Sequence, residues 1–140
     1  MKFSYLGRPI INKITGKAVG LQRERTDTVV RGLLQAIPEL IAASVVDIKS
    51  GRTLSAFTST SSFDPYKTNM YNVEVIGKTY KSLANSWLSN QDLDDIIIVL
   101  DHQFHCIRTM NHGQWYCYLV VGKAETNLAI VKDIMRKHTR

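Results

Sequence analysis

At 140 residues and 44% hydrophobic side chains, the chain has the length of one domain and can bury a core without metals or disulfides. No apolar run approaches the roughly 18 residues of a membrane span, the start lacks a signal-peptide core, and Cys106 and Cys117 form no secreted disulfide framework, so the protein is read as cytoplasmic. The net charge of +6 is uneven, because residues 1–25 hold six basic side chains against one acidic and the rest hold 12 against 11; the excess belongs to a basic N-terminal arm, and the near-neutral body lacks the field that nucleic acid requires.

The arm, residues 1–25, shows no regular apolar face, so its removal is expected to leave the fold intact. From Thr26 or Asp27, either of which can cap a helix, Val29, Val30, Leu33, Leu34 and Ile37 recur at helical spacing, and Pro38 ends the run. Residues 41–47 read as a strand, Ile48–Gly51 as a turn and Arg52–Thr58 as the returning strand. The polar stretch Ser59–Ser62 is a loop. Asp64-Pro65 then opens a long helix, with Asp as N-cap and Pro in the first turn, expected to run to about Leu88. At 100° per residue, Met70, Val73, Ile76, Gly77, Tyr80, Leu83, Ala84, Trp87 and Leu88 gather on the side turned to a sheet. The opposite side holds Lys67, Glu74, Lys78, Lys81, Ser82 and Asn85, with Tyr71 and Val75 one turn apart among them. Two adjacent apolar residues on a polar face mark a contact surface.

Three strands follow, at 96–100, 103–110 and 115–121, with Asn111-His112-Gly113 turning the last two. The run Ile96-Ile97-Ile98-Val99-Leu100 does not alternate, so both its faces need cover; it lies either in the middle of a sheet or at an edge that a partner closes. A final helix puts Leu128, Val131, Ile134 and Met135 on one stripe, and Lys132, Arg136, Lys137 and His138 near its end complement the helix dipole. The order is α-β-β-α-β-β-β-α, an antiparallel five-stranded sheet with helices on both faces.

The candidates for chemistry do not converge. Pairing 103–110 with 115–121 puts Phe104, Cys106, Arg108 and Met110 on one face with Trp115, Cys117, Leu119 and Val121. His105 falls on the reverse, and His102 and His112 lie at opposite ends, so no zinc site assembles. The cysteines read as small core residues, poorly spaced for a disulfide. Asp92, Asp94, Asp95 and Asp101 flank the Ile run as solubilising charges rather than a catalytic pair. No phosphate-binding glycine motif is present. Neither an enzyme nor a cofactor is expected.

Val45–Phe57 (VVDIKSGRTLSAF), the long amphipathic helix after a polar loop, and Gly122–Met135 (GKAETNLAIVKDIM) resemble the patterns of the roadblock family, the dynein light-chain and GTPase-regulator domains, and its bacterial members in particular. Ala129 stands where the family often has glycine, and the resemblance covers residues 26–140. It implies a sheet sandwiched by helices, dimerisation through edge strands and the long middle helices, and service as a non-enzymatic partner of small Ras-like GTPases. The bacterial members include a GTPase-activating partner in motility and polarity. On this reading the chain is a homodimeric regulator or scaffold. Its self-contact is expected at Ile96, Ile97, Ile98, Val99 and Leu100. Its partner surface is expected at Tyr71, Val75, Lys78 and Ser82, with Lys67, Glu74 and Asn85 around them. The alternative is a ligand-sensing module of profilin- or PAS-like architecture, with Tyr80, Trp87, Phe104 and Trp115 lining a pocket.

Overall fold

A computed structural model describes residues 10–140; the part of the expected arm at 1–9 lies outside them. The elements are α1 (Gly20–Ala36), β1 (Ala42–Asp47), β2 (Thr53–Thr58), α2 (Pro65–Ala84), β3 (Asp95–Val99), β4 (Gln103–Met110), β5 (Trp115–Gly122) and α3 (Leu128–His138). The strands form one antiparallel sheet in the order β2-β1-β5-β4-β3. The expected order and architecture are those found.

The sheet has two different faces, and each carries a core. Val45, Leu54, Cys106, Cys117, Leu119 and Val121 point to one side, where Val30 and Leu33 of α1 and Val131 and Met135 of α3 cover them. Ala42, Val46, Ile107, Tyr116, Tyr118 and Val120 point to the other, under Ile76 of α2. Two-sided cover explains why β1 from Ala42 to Val46, all of β2 and all of β5 are buried.

Two expectations are corrected. The first concerns the arm. α1 starts at Gly20, not near Thr26, so residues 20–25 are its first turns. Residues 10–19 run beside β2: Ile11 bridges Thr58 and Thr15 bridges Ala56. The backbone N–H groups of Asn12, Thr15 and Lys17 donate to carbonyls of Thr58, Ala56 and Thr53 at 2.8 to 2.9 Å. This strap is tied down on both sides. Arg23 donates to the carbonyls of Gly16 (3.2 Å) and Ile14 (3.1 Å) while pairing with Asp27 at 2.7 Å. The Thr15 hydroxyl lies 2.6 Å from that of Tyr66 on α2. Thr26, read as a cap, is buried in mid-helix, 2.6 Å from the Ser55 hydroxyl, which also donates to Asp27. α1 has no side-chain cap at Val19; its start is fixed by these tertiary ties, which leave no local signal.

The second correction concerns α2, which ends at Ala84 and is rolled relative to the expected face. Its buried residues are Pro65, Asn69, Asn72 and Ile76, whereas Met70 is 71% exposed, Gly77, Tyr80 and Ala84 are exposed, and Trp87 lies beyond the helix, 86% exposed. The cause is polar. The Ser44 hydroxyl donates to Asn69 Oδ1 at 2.9 Å, Asn69 Nδ2 donates to Thr53 at 3.0 Å, and Tyr116 donates to the Asn69 carbonyl at 3.0 Å. Hydrogen-bonding partners on the sheet draw the asparagine side down, although it is less apolar than its neighbours.

Gly16 is where the strap lies closest to β2: a Cβ there would stand 2.0 Å from the Leu54 carbonyl oxygen, a backbone atom with little room to retreat. Gly16→Ala is therefore expected to lower stability by about 2 kcal/mol. Removal of residues 1–25, which takes away strap and first helical turns together, should cost more. Urea denaturation followed by far-UV circular dichroism measures both; an unchanged midpoint for Gly16→Ala would mean that the strap does not contribute.

Candidate functional site: an open sheet edge and an exposed helix face

The two edges of the sheet are unlike. The outer side of β2 is occupied by the strap, while among the described residues β3 pairs only with β4. Within β3 the register Asp95↔Arg108 to Val99↔Phe104 is held at one end by an ion pair, Arg108 to Asp95 at 2.9 Å. That gives Asp95 a structural task, whereas Asp92, Asp94 and Asp101 are exposed. Ile96 packs into the α2-side core and Ile97 into the α1/α3-side core. Ile98, Val99 and Leu100 are exposed, Val99 by 54%. Of the two positions open to this run, the strand takes the edge. An edge strand with free N–H and C=O groups and bare aliphatic side chains is a template for another strand.

The seven α2 residues singled out, Lys67, Tyr71, Glu74, Val75, Lys78, Ser82 and Asn85, are all exposed. Tyr71 is 64% exposed, and Glu74 and Lys78 make a long i,i+4 pair at 3.7 Å. Val75, Lys78 and Ser82 line a shallow depression of about 380 Å³ with Thr79 and Leu83. Met70, assigned to the sheet side on spacing, lies exposed beside Tyr71 and widens the apolar surface to Met70, Tyr71 and Val75. Trp87 adds a bare indole just beyond the helix. For Met70 the sequence signal was available only through Asn69 and Asn72, whose burial sets the roll, while Trp87 is exposed because the helix ends before it.

The β4–β5 hairpin has the expected register, with Arg108 opposite Cys117 and Cys106 opposite Leu119. Asn111, His112 and Gly113 at its turn have φ of 52°, 57° and 80°, so three successive residues are left-handed. Burial pushes both thiols up to about 12, so they are protonated and inert core groups. His105 is on the reverse face, Nδ1 2.7 Å from the Tyr118 hydroxyl and Nε2 2.9 Å from Gln103 Oε1, with Phe63 edge-on at 6.2 Å. Among the described residues no group of three or more His, Cys, Asp or Glu is placed to hold a metal ion, and no helix is long and apolar enough to cross a membrane.

The aromatic set of the ligand-sensing alternative does not form a pocket. Phe104 and Trp115 belong to the α1/α3 side, while Tyr80 and Trp87 are exposed residues of α2 and the segment after it. A cleft of about 770 Å³ is an open trough between the start of α1 and the turns after β1 and β4. There the Arg25 guanidinium stacks 4.9 Å above the Trp115 ring.

No protein-family model and no curated protein matches the sequence. Solved structures do match the fold. MglB of Myxococcus xanthus superposes with a TM-score of 0.73 over 88% of each chain at 11% identity. This chain has the roadblock fold. A Roadblock/LC7 domain from Streptomyces avermitilis gives 0.62 at 16% identity, over 88% of this chain and 92% of its own. The gliding protein MglB of Thermus thermophilus gives 0.66 at 16%, over 90% and 91%. At these identities the likeness is one of backbone architecture, and the roadblock fold places β3 at a sheet edge and α2 alone on one face here as described above.

His105 supplies a pH signature of this face. Half-burial lowers its pKa below the usual 6.5. As pH falls, the unfolded chain takes up this proton first, so stability is lost from about pH 6.5 downward until the folded histidine titrates too. His105→Gln should flatten the part of the stability profile between pH 7 and 5 that His105 causes, as measured by denaturation midpoints across that range; an identical slope in the variant would disprove the assignment.

Proposed function

We propose that the protein is a non-enzymatic homodimeric regulator or scaffold that pairs two copies through β3 and presents α2 to a small Ras-like GTPase. The observation that carries the first half is the difference between the edges. One is closed by the chain itself, while among the described residues the other is left with its backbone row unpaired and Ile98, Val99 and Leu100 bare. Antiparallel pairing of β3 with its copy makes a continuous ten-stranded sheet and removes that edge. Support for the GTPase half comes from the roadblock fold, whose family resemblance implies such partners, and from the exposed Met70, Tyr71 and Val75 on a helix that packs against the sheet only with its opposite side. A tyrosine among polar residues has the character of an interface anchor. The same fold likeness makes GTPase activation a candidate activity of the complex.

In light scattering at micromolar concentration the wild-type protein should have the mass of a dimer. Ile98→Lys, which sets a charge against the opposing strand, should give monomer or insoluble protein. A wild-type monomer would refute the edge reading.

The double variant Tyr71→Ala/Val75→Ser separates partner from self. With the dimer intact, capture of Ras-like GTPases from GTP-loaded and GDP-loaded lysate should fall by about 30-fold, equivalent to about 2 kcal/mol. Should the dimer dissociate instead, the pair belongs to helix–helix contact between protomers. Unchanged capture would remove these residues from the surface.

A further inference from the structure

The charge of the described residues is unevenly divided along the chain. Residues 10–58 and 122–140, which include the strap, α1, the β1–β2 turn and α3, hold 12 basic side chains against six acidic, net +6. Residues 59–121, which include α2, β3 and β4, hold four against six, net −2. Folding brings much of the basic excess to the β2 edge and the α1/α3 side, because the strap runs along β2 with Ile14 and Ala18 in the α1/α3 core and continues into the first turns of α1 rather than trailing as an arm. Lys17, Arg31, Arg52 and Arg140 are exposed and have no carboxylate within ion-pair distance among the described residues. Beside them, at the start of α1, Val19 and Leu21 are 78% and 77% exposed.

We infer that this α1/α3 side docks on a bilayer surface rich in anionic phospholipid. Basic side chains around a few bare aliphatic ones are the composition of interfacial binding: the charges draw the protein to the headgroups and the aliphatic groups enter them. Single-stranded nucleic acid would need aromatic platforms for its bases, and among the described residues the exposed aromatic side chains Tyr71, Tyr80 and Trp87 all belong to the acidic segment 59–121. The basic side is complete in one protomer. The proposed β3 pairing adds to it, since a two-fold axis perpendicular to a continuous sheet keeps both α1/α3 layers on the same side, doubling the charge that meets the membrane. α2 then faces away from the lipid, free for a partner.

Co-sedimentation with vesicles tests this. At 0.1 M salt the protein should bind vesicles of phosphatidylcholine with about one-third phosphatidylserine, ignore pure phosphatidylcholine, and be released at 0.5 M salt, where screening is stronger. Lys17→Glu with Arg31→Glu and Arg140→Glu should weaken binding at least tenfold at unchanged melting temperature, and the neutral Gln triple should fall between. Leu21→Ser, which leaves the charge unchanged, should weaken it several-fold. Soluble Ile98→Lys protein should still require phosphatidylserine but bind more weakly, so failure of the dimer reading is distinguishable from failure of this one. The inference is overturned by absence of binding to the anionic vesicles, by equal binding to the neutral ones, or by an unaffected Glu triple. Retention of RNA or duplex DNA with no vesicle binding overturns it as well and gives the face to nucleic acid.

Discussion

Every sheet has two outer rows of N–H and C=O groups, and leaving them unpaired in a folded protein carries both an energetic cost and a hazard. Here the two rows are handled differently. On β2 the chain supplies its own partner, a strap too irregular to be a full strand, whose bridges at Ile11 and Thr15 run in opposite senses. Because the pairing is broken, side chains have to hold it, and Arg23 does so by donating to two strap carbonyls. On β3 nothing equivalent is built among the described residues. The rest of the architecture follows: β1 and β5 lie between, buried on both faces, and the helices divide into a pair on one side and a single one on the other.

The lone helix α2 illustrates a second principle. Its grip on the sheet is a polar one, Asn69 bridging Ser44 and Thr53 and receiving Tyr116, with Ile76 as its fully buried aliphatic side chain. Such an interface fixes rotation closely, because hydrogen bonds are directional where dispersion contacts are not. The reward is specificity of the outward face: a roll by one residue position would bury Met70 and Tyr71 differently and strand Asn69.

Much of this was legible in the amino-acid order. Strand runs, the Asp64-Pro65 start and the hairpin register with Cys106 and Cys117 on one face and His105 on the other all follow from periods of 2 and 3.6 and from turn chemistry. What was not legible shares one cause. The true start of α1 and the roll of α2 are set by partners remote in sequence, Arg23 on the strap and Asn69 on β1 and β2, and such ties leave no periodic trace. Gly16 is similar: in the sequence it is one glycine among several, and only the Leu54 carbonyl beside it explains it. For the surface on α2, Tyr71 and Val75 stood out because they broke a polar pattern, while Met70 was hidden by fitting an apolar one.

The unequal edges also govern how large an assembly can grow. A subunit with two bare edges would add copies without limit and end as a fibre; with one, addition stops after the first partner, since joining like to like consumes the only growing end on each copy. On the proposed pairing the strap thus acts as a chain terminator, and the count of two is written at the opposite end of the sheet from the contact that realises it. Loosening Arg23 or crowding Gly16 would then show its effect as length, turning a closed pair into an open series.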